Sequence, residues 1–175
     1  ITDKTLSNYL TALRRLFIIE DVKAWQPSLR SRTGIRTSDK RHFVDTSIAT
    51  AILELNPKSV LEDFELFGFL FEDFCLRDIR VYTELLRGTV YHYHDNSNLE
   101  ADLIIRLHDG RWAAIEVKTG SKEIEEAAEN LITLSNEVNT SKIGSPSFLM
   151  VLTAGQYAYR REDGVYVVPI GCLKP

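Results

Sequence analysis

The stretch that decides the fold is residues 99–119, LEADLIIRLHDGRWAAIEVKT. Apolar and polar residues alternate on both sides of His108-Asp109-Gly110, the period of β-strands that turn one face to a core. Gly110 suits the left-handed position of a three-residue hairpin loop, and such a loop pairs Leu107 with Arg111. Counting outward from that pair, Asp102 stands opposite Glu116 and Glu100 opposite Lys118. Directly opposed residues share a face, so Glu100, Asp102, Glu116 and Lys118 are expected to project together. The other face, with Ala101, Leu103, Ile105, Leu107, Ala113, Ile115 and Val117, is the expected core. A two-residue loop would slip the pairing by one and bury an unpaired Asp102 opposite Val117, at a cost of several kcal/mol. The apolar alternation therefore selects the three-residue register.

Two carboxylates held side by side repel each other unless a cation sits between them. Their oxygen ligands suit a hard divalent ion such as Mg²⁺ or Mn²⁺, so Asp102 and Glu116 are the expected metal ligands. Lys118, a compact point charge on the same face, is placed to orient a water or to stabilise charge building on a phosphate. The competing reading of this face is a cross-strand surface ion network with Glu100, which contributes little to stability.

Working outward, residues 60–79 read as one long apolar helix with Glu72 and Asp73 in its middle. A strand follows at 89–94, where His92 and His94 alternate with Tyr91 and Tyr93. Two imidazoles at i and i+2 suit a transition metal, or are strand residues meeting polar neighbours. After a polar turn at 95–98 comes the hairpin, then a helix at 122–138, a buried-type strand at 148–153 and a last strand at 165–170. The chain is expected to be an α/β protein, with Trp25 and Trp112 as packing residues.

The N-terminal part has a different pattern. Thr2 can cap a helix, Ile1 and Leu6 form a staple, and Leu6, Leu10, Leu13, Leu16 and Phe17 follow at helical spacing. A β-branched stretch at 17–19, a turn at Glu20-Asp21, a basic loop at 30–41 and a return strand at 41–44 make the second half of a winged helix-turn-helix. Arg30, Arg32, Arg36, Lys40 and Arg41 in the wing are the expected nucleic-acid contacts, and counterion release would make that binding salt-sensitive. A short helix at 45–55, capped by Asp45 or Thr46, is closed by Asn56-Pro57. The expected division is a partial winged-helix segment at 1–58 and a second domain at 59–175.

Composition sets outer limits. A chain of 175 residues with 44% hydrophobic content can bury a core for one domain and a small appendage. No run of 18 apolar residues and no secretory signal occurs, so a soluble, cytoplasmic protein with no membrane partner is expected. Cys75 and Cys172 lack any metal or disulfide spacing and are expected as buried free thiols. The net charge of −4 divides unevenly. Residues 1–45 hold nine Lys/Arg against five Asp/Glu, while the rest is acidic by eight charges. A basic segment on an acidic body suggests a polyanion contact at one end. The only methionine is Met150 and a helix begins almost at Ile1, which is expected of a piece of a longer polypeptide.

An acid on a helix (Glu72), an Asp on one strand (Asp102) and Glu-x-Lys on the next (Glu116-Val117-Lys118) resemble the PD-(D/E)-x-K nuclease superfamily. The stretches TLSNYLTALRRLFII, KRHFVDTSIA, GFLFEDF, YHYHDNSNLEADLII, AAIEVKTG and DGVYVVPIGCL together resemble the domain of unknown function that forms the C-terminal part of many bacterial and archaeal AAA+-type ATPases. This resemblance implies a restriction-endonuclease-like αβββαβ core with a mixed sheet, and Glu72, Asp102, Glu116 and Lys118 as catalytic residues. It also implies Mg²⁺- or Mn²⁺-dependent phosphodiester hydrolysis, with DNA favoured over RNA. The implied partner is an ATPase domain upstream in the same polypeptide. No G-x-x-x-x-G-K-[ST] occurs in these residues, so ATP belongs only to that upstream module. Proteins of this superfamily fold that no longer cut imply the alternative, a non-catalytic nucleic-acid or protein binding module coupled to the ATPase.

Overall fold

The computed structural model describes residues 1–30 and 33–174. Helix α1 (Asp3–Arg15) is followed by β1 (Ile19–Val22), β2 (Lys40–Phe43), α2 (Thr46–Ile52), α3 (Pro57–Glu62) and α4 (Phe64–Leu85). Then come β3 (Gly88–His94), β4 (Glu100–Leu107), β5 (Trp112–Lys118), α5 (Ile124–Glu137), α6 (Thr140–Ile143), β6 (Leu149–Thr153), β7 (Tyr159–Arg160) and β8 (Tyr166–Pro169). From α4 to β6 the long elements run α-β-β-β-α-β, and six strands form one mixed sheet in the order β3-β4-β5-β6-β8-β7. The strands β3, β4 and β5 are antiparallel neighbours, while β5, β6 and β8 run parallel. Helix α5 supplies the crossover that the parallel pair β5 and β6 requires.

The sheet is buried on both sides. Phe71, Cys75, Leu76 and Ile79 of α4 pack on Leu103, Ile115, Val117, Met150 and Leu152. Ala127, Ala128, Leu131 and Leu134 of α5 pack on Ile104, Trp112, Ala114, Val151 and Val167. The expectation of a single core face is thus corrected. The face that carries Ile104 and Ala114 lies under α5. Strict alternation could not reveal this, because Ala and Ile sit equally well on a covered or a half-covered face.

The hairpin register follows the three-residue loop. Leu103 pairs with Ile115 and Arg106 with Trp112. Leu107 N–H donates to Arg111 O, and Gly110 takes φ +91°, where a side chain would be strained. The helix expected over 60–79 is interrupted at Asp63, whose side chain accepts from Leu66 N–H and caps α4. Helix α4 then continues past Ile79 to Leu85. Where α4 hands over to β3, a Cβ on Gly88 would lie 2.7 Å from Leu107 Cδ2 and from Thr83 Cγ2. Gly88→Ala is therefore expected to cost ~1–3 kcal/mol through overpacking, read as a lower denaturant midpoint at unchanged slope.

The N-terminal segment is sewn into this body. Strands β1 and β2 pair antiparallel, and Glu20 and Asp21 lie within β1 opposite His42 and Arg41. The expected turn at Glu20-Asp21 is thereby overturned: the chain reverses earlier, at Phe17, which takes φ 55° after the C-cap of α1. Asp21 is held by Arg14 and Arg41, and Glu20 by Arg80, so both acids are ion-paired within the strand. Residues 23–25 continue onto the outer edge of β3, with His92 N–H donating to Lys23 O and Trp25 N–H donating to His92 O. Trp25 is buried between Tyr93 and Trp112. Cys75 is buried as expected, whereas Cys172 is exposed because it closes the short 3₁₀ turn Ile170–Cys172 at the rim. Among the described residues no helix is long and apolar enough to cross a membrane.

Candidate functional site

The site lies where β4 and β5 part. Backbone pairing ends at Leu103 and Ile115, and beyond it the Asp102 side chain accepts from Val117 N–H at 2.8 Å. The carboxylate thus replaces a rung of the ladder and is fixed by the strand that carries Glu116. On its other side β4 is bulged. Between the pairs Tyr91↔Ile104 and Tyr93↔Ala101, β3 contributes one residue, His92, and β4 contributes two, Asp102 and Leu103. A bulge bends the strand and re-aims a side chain. It explains how Asp102 reaches the Glu72 side of the sheet while Ala101 joins the core under α5.

Glu116 is the anomalous residue. It is 1% exposed, and among the described residues neither carboxyl oxygen has a hydrogen-bond partner. Among the described residues its close cation is Lys118, whose Nζ lies 3.5 Å from Oε2. Burial, and then the neighbouring Asp102 carboxylate, push its pKa up to about 9, against the weaker pull of Lys118. A buried carboxyl without partners is costly, and structures rarely retain one without a use for it. The Lys118 ammonium loses solvation by burial, but Glu116 and Asp102 outweigh that and raise its pKa, so it stays charged.

Glu72 approaches from α4. Burial and Asp102 raise its pKa, opposed by Lys40. The Lys40 ammonium lies 2.5 Å from Glu72 Oε1 and 3.6 Å from Asp102 Oδ1. The structure therefore gathers Glu72, Asp102, Glu116 and Lys118 as neighbours in a chain: Glu72 to Lys40, Lys40 to Asp102, Asp102 to Glu116 and Glu116 to Lys118. Among the described residues no three His, Cys, Asp or Glu side chains converge as a ready-made metal cage. The chemistry of the donors nonetheless fits a hard cation, because Glu116 presents two oxygens that make no hydrogen bond among the described residues, beside Asp102.

Lys40 is the site residue that composition conceals, since in sequence it closes a run of basic residues. The others of that run lie elsewhere. Arg30 donates to Thr140 Oγ1 and Arg36 to Asn98 Oδ1, and Arg41 pairs with Asp21. Arg32 lies outside the described residues. Residues 35 and 36 are further tied to the 94–95 turn, by an Ile35–Asp95 bridge and by Arg36 N–H donating to His94 O. His92 is buried with Nε2 3.1 Å from Ser38 O, and burial lowers its pKa. His94 lies 4.0 Å from Glu100. Both histidines line a cavity of about 210 Å³ that opens beside Lys40 and Asp102.

Residues 67–173 match the family described as a domain of unknown function (DUF4143), and this is more than half of the chain. The chain belongs to the DUF4143 family. The DUF4143 segment contains Glu72, Asp102, Glu116 and Lys118, whereas Lys40 falls in residues 1–59, which match a second domain of unknown function, DUF8612. The carboxylates of the DUF4143 segment are thus met by a lysine from the region ahead of it. Among solved structures, the chain is similar to one in a half-complex from the tetradecameric assembly of Thermococcus gammatolerans McrB AAA+ hexamers with bound McrC. The two share 10% identity over 93% of this chain and 59% of that chain, with a TM-score of 0.39. This chain therefore spans less than two thirds of that chain's length. No curated protein matches it.

Proposed function

We propose that the DUF4143 segment is a PD-(D/E)-x-K-type nuclease module that binds Mg²⁺ or Mn²⁺ and hydrolyses phosphodiester bonds of DNA or RNA, DNA before RNA. The observation that carries this reading is Glu116: a buried carboxyl with neither oxygen hydrogen-bonded among the described residues, set against Asp102 and ion-paired with Lys118 two residues later. Asp102 and Glu116 would hold the metal. Bound there, it would supply Lewis acidity to a phosphoryl oxygen and a more acidic water. Lys118 brings a fixed positive charge to the same place, where negative charge develops during attack on phosphorus. Val117 N–H holds the Asp102 carboxylate in one orientation, so that ligand needs no reorganisation. Glu72 acts through position, from the far side of Asp102.

The order α-β-β-β-α-β and the parting of β4 and β5 at the acids support the superfamily assignment. The sequence resemblance supports service as the C-terminal part of an AAA+-type ATPase, with ATP bound upstream. A second reading, a binding module without turnover, is favoured by one observation: Lys40 already neutralises Glu72 and Asp102.

The deciding measurement is calorimetric titration of Mg²⁺ and Mn²⁺ into wild type, Asp102→Asn and Lys118→Ala, beside a plasmid and oligonucleotide cleavage assay. Nuclease action predicts binding lost in Asp102→Asn, binding kept in Lys118→Ala, and cleavage reduced ~100-fold or more in both. Metal binding without cleavage in any condition would leave the binding-module reading. Absence of metal binding in wild type would end the nuclease reading.

A further inference from the structure

We propose that Lys40 is the resident counter-cation of this site, and that a divalent ion enters by displacing its ammonium from Glu72 and Asp102. The inference rests on the metal-binding reading above and concerns how that binding is controlled.

The geometry has three parts. First, the Lys40 ammonium bridges Glu72 Oε1 at 2.5 Å and Asp102 Oδ1 at 3.6 Å, so it stands on oxygens that a metal at Asp102 would need. Two cations cannot share that oxygen set without strong repulsion. Second, Lys118 is engaged with Glu116, and among the described residues Lys40 is the cation that meets both Glu72 and Asp102. Lys40 therefore stands as the positive partner of Glu72 and Asp102. Third, Lys40 has a way out. Its side chain is 39% exposed, whereas those of Glu72 and Asp102 are 19% and 10% exposed. It borders the cavity of about 210 Å³ lined also by Ser38, Asp39, His94 and Glu100. A four-carbon stem can swing the ammonium into that cavity, toward Asp39 and Glu100, while the backbone of β2 stays paired with β1.

Placement in the chain gives this arrangement a consequence. Lys40 lies on β2, in the part that matches the preceding family, and residues 35–36 are strapped across the 94–95 turn. Any event that shifts this strap would withdraw the lysine and open the carboxylates to metal. The region ahead of the DUF4143 segment would thereby govern metal occupancy of its site.

The test uses Mn²⁺ alone as probe, with calorimetry on wild type, Lys40→Gln and Lys40→Arg at one pH and ionic strength. Displacement predicts that Lys40→Gln binds Mn²⁺ about tenfold tighter or more, equivalent to about 1.4 kcal/mol. Lys40→Arg keeps affinity at or below wild type, because its charge remains. The metal-free Lys40→Gln protein melts below wild type and regains the difference when Mn²⁺ is added, which loss of a merely structural lysine would not produce. Equal or weaker binding by Lys40→Gln, with wild type still binding, overturns displacement and leaves the metal site standing. Failure of both proteins to bind overturns the two together. A readout that needs no variant is reductive methylation of wild-type Lys40 followed by mass spectrometry: its rate rises on addition of Mn²⁺ if the ammonium is released, and an unchanged rate in a metal-bound protein refutes the release.

Discussion

Glu116→Gln is expected to make the metal-free protein more stable at pH 8, by about 2–5 kcal/mol, while weakening the metal binding proposed above. The wild-type carboxyl is buried and makes no hydrogen bond among the described residues, and its pKa rises from 4.5 to about 9. Above pH 4.5 the unfolded chain loses this proton and is stabilised in water, while the folded chain retains it. Wild-type stability attributable to this group is therefore complete below about pH 4.5 and falls as pH climbs toward 9, by at most ~1.4 kcal/mol per pH unit. Glutamine carries no such proton and escapes the loss. Urea unfolding of the two proteins at pH 5 and pH 8 reads the effect directly. The gap must widen at the higher pH, and a gap that stays constant or closes would remove Glu116 as a strained, unpaired carboxyl. The same variant lacks the negative charge that a divalent ion needs, so Mn²⁺ affinity should drop at least ~100-fold.

Trp25→Ala is expected to destabilise the whole chain by about 3–5 kcal/mol, in one transition. Trp25 is 3% exposed and lies 4.8 Å, centroid to centroid, from Trp112 and 6.4 Å from Tyr93, in the core under α5. Its backbone also extends the sheet by donating to His92 O. Truncation leaves a cavity between two aromatic rings and loosens the seam along β3, so β1 and β2 cannot melt while the six-stranded sheet persists. Denaturation followed by far-ultraviolet circular dichroism and by Trp112 emission should give coincident curves with a lowered midpoint. Two separate transitions, or an unchanged midpoint, would show that residues ahead of 59 form an independent unit. The outcome also bears on Lys40, which reaches Glu72 only while β2 is docked.

Much of the candidate site was legible because its decisive features are local. The register around one glycine turn follows from apolar alternation, and it holds from Arg106↔Trp112 to Leu103↔Ile115, one pair short of Asp102 and Glu116. Caps are equally local: Thr2 and Asp45 each hold the first turn of the helix that follows. Asn56, read as the closing residue of α2, in fact caps α3, since an Asn before Pro marks a boundary without saying which side the next helix begins. The β-bulge at Asp102 and Leu103 has no local signal, because it is a mismatch between two strands and is visible only once His92 lies across from them. The break at Asp63 was hidden by the apolar pattern that runs through both α3 and α4.

What the sequence by itself determined is the order of elements, the α/β class, the hairpin register and the adjacency of Asp102 to Glu116. All of these follow from periodicities and turn chemistry acting over a few residues. Only the tertiary structure decided that Glu116 is stripped of solvent, and that Lys40 leaves its basic run to stand between Glu72 and Asp102. Burial and electrostatic field are sums over atoms drawn from α4, β2, β4 and β5 at once. No window of sequence contains those sums, and they set the charge on which the chemistry of this site depends.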